Sequence, residues 1–224
     1  MEDRGWERYG AIAGALGVAC YVVGFLLPGS PPKTEDSVGT IATFFTENRL
    51  KILGEVFLVA FASFLLLVFL AALVSRIRRA DGGLGALSLI TLVGGVALVG
   101  ITVFGAATYG ALAFQVALAP SAAAVIRAMF DVGGMCFALG GFFAALFIGA
   151  AALAINRRNL MPQWLVGLAG IAVVLNLVGT TVLFSDHGFF SLDGAFGFVP
   201  FFVSMLWILV TSWFLFQQSA PAAA

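Results

Sequence analysis

Apolar residues along this chain come in long unbroken runs rather than in alternation with polar ones. The runs cover about residues 9–27, 52–75, 84–110, 135–155, 165–184 and 199–216. Each approaches the ~20 residues that a helix needs to cross a ~30 Å hydrocarbon layer. Backbone amides in that layer have no water to bond, so each run must satisfy its own hydrogen bonds as a helix. Strands of a membrane barrel would alternate apolar and polar over about ten residues, and these runs do not. The pattern predicts an all-α fold, a polytopic membrane helix bundle with six transmembrane helices. Residues 1–218 form a single transmembrane domain, and 219–224 read as a disordered tail.

The polar breaks predict orientation. With the N-terminus inside, Arg4, Arg8, Arg76, Arg78, Arg79, Arg157 and Arg158 fall on the cytoplasmic side. Lys33, Arg49, Lys51 and Arg127 then fall outside. Basic residues favour the cytoplasmic face, so both termini are expected in the cytoplasm, in a bacterial inner membrane. Trp6, Trp164 and Trp213 would sit at the inner interface. The leading MEDRGWER is acidic rather than basic and no clear cleavage site follows, so the first run reads as a span and not as a signal peptide.

Two outer linkers carry structure of their own. After PGSPPK, Asp36 or Ser37 can cap a helix on whose one face Val38, Ile41, Phe44 and Phe45 recur. A second such segment, SAAAVIRAMF, follows Pro120 with Ser121 as its cap. Both read as outer-side interfacial helices, the alternative being that each extends the following span outward. Residues 37–110 and 121–184 then share one order of elements: interfacial helix, inward span, basic turn, outward span. That order permits an internal parallel repeat, as in transporters, although any helical hairpin with a basic turn produces it.

Composition agrees with lipid as the solvent. The chain is 62% hydrophobic and 10% charged with a mean hydropathy of +1.09, whereas a soluble domain keeps roughly a quarter of its residues charged. Net charge is zero, which leaves no basic field for nucleic acid. Cys20 and Cys136 form no CxxC or CxxH pattern, and one histidine cannot build a bis-histidine haem site. Neither Lys33 nor Lys51 lies mid-span, so no residue suits a retinal Schiff base. No cofactor is implied. HExxH and GxSxG are absent, and no enzyme is expected.

Ionisable residues within spans are costly and mark candidate sites. Glu55 lies about one turn into the second run, and Asp131 just ahead of Gly133–Gly134. Together they could form a paired carboxylate site for a proton, cation or amine in an outward cavity. The simpler reading pairs Asp131 with Arg127 one turn earlier. Asn176, mid-way along the fifth run, is a ligand contact or interhelical packing glue. Tyr109 is a weaker candidate, as are Asp186 and His187 in the loop SDHGFFSLDGAFG, where Asp193 is a further acid. One histidine with two acids is a thin ligand set for a metal, and none is expected. Cys20 and Cys136 share a depth and read as buried free thiols. Gly10 and Gly14, and Gly141, Ala145 and Gly149, make small-residue stripes that allow helices to approach closely.

The outer TIATFFTENRLKILGE entering a span, the basic RIRRADGG turn, and NRRNLMPQWLVGLAG opening the fifth helix together resemble bacterial six-helix membrane proteins of domain of unknown function 4386. That resemblance covers nearly the whole chain and implies no reaction or ligand. Function is then expected in binding a lipid, an apolar small molecule or a partner membrane subunit, including another copy of the chain. The alternative is a small transporter or ion-coupled carrier using Glu55 and Asp131.

Overall fold

The computed structural model describes residues 2–83, 85–115, 122–185 and 187–219. Among them the chain is all-helical, with six helices long and apolar enough to cross a membrane. It is a multi-pass helical membrane protein. The spans are α1 (Glu2–Leu26), α3 (Arg49–Asp81), α4 (Ala86–Phe114), α5 (Ala123–Arg158), α6 (Gln163–Gly179, continued by a 3-10 turn to Phe184) and α7 (Ala195–Gln218). The short α2 (Val38–Glu47) precedes α3. Around the bundle the spans pack in the cyclic order α1, α3, α4, α5, α6, α7 and back to α1. The ring is therefore closed. Large apolar side chains such as Phe57, Phe61, Phe64, Val93, Phe104 and Val174 face outward, where lipid takes the place of a protein partner.

Local sequence explains where the helices stop. Gly82 ends α3 in the left-handed conformation at φ 76°, and its N–H reaches back toward the last carbonyls. Asn159 ends α5 in the same way at φ 49°. Pro162 then starts α6, since it needs no N–H partner at that position. Ser37 caps α2 by accepting the Thr40 N–H at 3.2 Å, as the DSVGT sequence predicts. Ile41 and Phe45 of α2 are buried against Ile52, Leu112, Ile126 and Phe130, so the helix is packed onto the bundle end.

The second outer segment differs from expectation. Residues 123–130 form no separate interfacial helix but the first turns of α5, which runs unbroken for 36 residues, about 54 Å. The physical reason lies at Gly133 and Gly134, which do not break the helix. A side chain at Gly133 would strike the Tyr109 ring, and one at Gly134 would strike Leu192. These glycines make room for neighbours. The two candidate repeat units thus share a hairpin with a basic turn, but not the short helix ahead of it. Ser121 and the tail beyond Ser219 lie outside the described residues.

The predicted glycine stripes are used inside the ring. Side chains at Gly10 and Gly14 would collide with Ala72 and Phe69 of α3, and Gly141 faces the Asn176 carbonyl of α6. At Gly94 a Cβ would lie 2.8 Å from the Phe147 backbone nitrogen. Such approaches are what hold membrane helices together in the absence of a hydrophobic drive between them.

Candidate functional site

The half of the bundle nearer the termini has an aromatic core. Phe147 and Trp207 meet edge to face at 5.7 Å in its core, both almost fully buried. A polar tie closes that end. Glu7, 1% exposed, pairs with Arg76 at 3.5 Å and with Arg79. Arg76 donates to Gln218 at 2.8 Å, whose amide donates to the Leu160 carbonyl at 2.8 Å. Arg158 binds Asp81 at 2.8 Å across the two turns. Trp6, Trp164 and Trp213 are exposed around this same end, as their sequence positions predict.

The opposite half holds a cavity of about 290 Å³ lined by all six spans, by the 28–34 linker and by the 192–198 segment. Rings dominate its wall. Tyr21 and Phe25 come from α1, Phe44 and Phe45 from α2, Tyr109 from α4, Phe130 and Phe137 from α5, and Phe198 and Phe201 from α7. Several of these rings brace one another. Phe25 lies 5.2 Å from Phe198 and 5.4 Å from Phe201, and Tyr109 lies 5.7 Å from Phe45 and 5.9 Å from Phe130. Polar groups are few: Thr34, Glu55, Thr102, Asn176, Asp193 and Ser204. None of the described lining residues is Lys, Arg or His.

Of the residues singled out from the sequence, Glu55, Tyr109 and Asn176 meet at this cavity. Glu55 has neither a hydrogen bond nor an ion pair among the described residues. Asn176 is buried, and its amide donates to Ala172 O and Ser204 Oγ, each at 2.8 Å. It is therefore both wall and interhelical link. Asp131 is not part of the lining. Its carboxylate accepts from Arg127 Nε at 2.9 Å, and Arg127 also donates to the Asp36 carbonyl at 3.4 Å. The pair ties α5 to the linker ahead of α2, and the paired-carboxylate geometry of Glu55 with Asp131 is not formed at the cavity. His187 is exposed in the loop, where its carbonyl accepts from Ser185 Oγ at 3.1 Å. Asp186 lies outside the described residues. Cys20 and Cys136 are free thiols.

Most span hydroxyls bond within their own helix. Thr102, Thr108, Thr180, Thr181 and Ser204 each donate to a carbonyl three or four residues back. Among the described residues, Tyr21 with Ser63, at 2.7 Å, and Asn176 with Ser204 link two spans through side chains in the membrane interior. Sequence reading missed two features. Asp193 counted only as a neighbour of His187, yet it lines the cavity and accepts the Thr34 N–H at 3.2 Å. The aromatic wall was present as 23 phenylalanines whose facing the sequence does not encode. Compared with known protein families, with curated proteins and with solved structures, the chain finds no match.

Proposed function

We propose that this membrane protein binds a small apolar or amphipathic molecule in the cavity between its spans, and that it is not an enzyme. One observation carries the reading: a chamber of about 290 Å³, lined by nine aromatic rings and few polar groups, sits between the spans. Ligand cavities are characteristically concave and apolar, with a small number of polar groups that set orientation, and this one stands at their small end. No catalytic motif accompanies it. The glycine stripes are spent on contacts within the ring, so they lend no support to a partner subunit.

The reading of Glu55 and Asp131 as the joint site of an ion-coupled carrier has less support, since Asp131 pairs with Arg127 and does not line the cavity. Placement in a bacterial inner membrane with cytoplasmic termini belongs to the same proposal and rests on the arginine distribution. Kinship with the domain of unknown function 4386 proteins is likewise proposed, on the turn sequences and element order alone.

Native mass spectrometry of the protein released from mild detergent tests the binding reading. Expected is a discrete retained mass on the wild-type chain that is lost from Ala106→Phe, which fills the cavity from α4. A bare wild-type chain, or an adduct indifferent to Ala106→Phe, would count against it.

A further inference from the structure

We infer that the ligand of this cavity is an organic cation, an amine or quaternary ammonium bearing apolar substituents. The inference rests on the cavity-binding reading above and assigns the chemical class of its occupant.

Charge supplies the first argument. Glu7, Asp81 and Asp131, which do not line the cavity, each have an arginine partner, although Asp131 Oδ1 is buried without a hydrogen bond. Glu55 has none among the described residues, and Asp193 satisfies one oxygen through Thr34 while its Oδ1 is buried without a partner. Both of these acids line the cavity, and no described lining residue is basic. A carboxylate held in apolar surroundings without a counter-charge is costly, and an occupant that brings positive charge removes the cost. An anionic lipid headgroup would add to it.

The wall supplies the second. Tyr21, Phe25, Phe45, Tyr109, Phe137 and Phe201 line the space, and the negative quadrupole of an aromatic face attracts a weakly hydrated cation. A hard metal ion has different needs. Calcium takes six to eight oxygen ligands and magnesium six, and no group of three or more His, Cys, Asp or Glu side chains converges among the described residues. Rings with one or two carboxylates fit an alkylated nitrogen, which loses little hydration on entry and gains from both kinds of wall.

The test uses two molecules of one shape, benzyltrimethylammonium and its neutral carbon analogue neopentylbenzene. Equilibrium dialysis against lipid nanodiscs with and without the full-length protein measures each. Expected is binding of the cation at least about tenfold tighter than the neutral analogue. Glu55→Gln should remove most of that preference. Equal affinities for the two molecules on the wild-type protein would overturn the cation assignment and leave the cavity reading standing. A preference that survives both Glu55→Gln and Asp193→Asn would overturn the role given to these carboxylates. Binding of neither molecule would overturn the cavity reading and the cation assignment with it. If Glu55→Gln fails to fold, the wild-type comparison of the two molecules decides alone.

Discussion

The Glu7 cluster allows a prediction of sign as well as size. Glu7 is 1% exposed, whereas its partners Arg76 and Arg79 are 28% and 35% exposed. The two arginines can turn toward water or lipid headgroups when the carboxylate is removed, but the carboxylate has nowhere to go when they are removed. Glu7→Gln on the wild-type background should therefore cost only the two part-exposed ion pairs, roughly 1–2 kcal/mol together. Arg76→Gln with Arg79→Gln strands a buried charge, and losses of that kind run to about 3–5 kcal/mol. Adding Glu7→Gln to that double variant removes the stranded charge and should restore roughly 2 kcal/mol or more. The same substitution thus destabilises one background and stabilises the other. Loss of the Arg76–Gln218 bond is common to both arginine-deficient variants and cancels from the comparison. Unfolding free energies from steric trapping in lipid nanodiscs give the four corners of the cycle. Glu7→Gln destabilising both backgrounds would refute the argument from burial.

Gly94→Ala should destabilise the bundle by about 1–3 kcal/mol, because its Cβ would press on the rigid Phe147 backbone and not on a movable side chain; the same unfolding measurement checks it. Asn176→Ala should cost only about 1 kcal/mol and leave folding intact, since Ser204 keeps its bond to the Pro200 carbonyl, and a loss above about 3 kcal/mol would contradict this accounting. For topology, Gly83→Cys in a chain whose Cys20 and Cys136 are replaced by Ala should resist impermeant thiol reagents in intact cells and react after lysis. Labelling of intact cells would reverse the proposed orientation.

How much was legible in advance follows from the range of each interaction. Spans, the cap of α2 at Ser37 and the Arg127–Asp131 pair are set by residues within about one helical turn of each other, or by hydropathy summed along a window. The start of α5 was misplaced because Gly133 and Gly134 look like punctuation in one dimension. Their meaning lies in Tyr109 and Leu192, which come from other parts of the chain. Asp131 was offered as a site residue because depth alone makes any acid there notable. The structure forms the ion pair with Arg127 one turn away that the simpler reading expects.

Hydropathy and turn chemistry by themselves determined that this is a membrane bundle of six spans with both termini at one end. The bilayer forces that outcome on any chain with such runs, whatever packs against what. Tertiary structure alone decided that the ring closes through α1 and α7, that Glu7 meets arginines some seventy positions away, and that Glu55 and Asn176 share an aromatic chamber with Asp193 while Asp131 does not. The rotation of each helix about its axis makes these choices. In lipid both faces of a helix can be apolar, so rotation leaves almost no periodic trace in the sequence and is settled by close packing at a few glycines and rings.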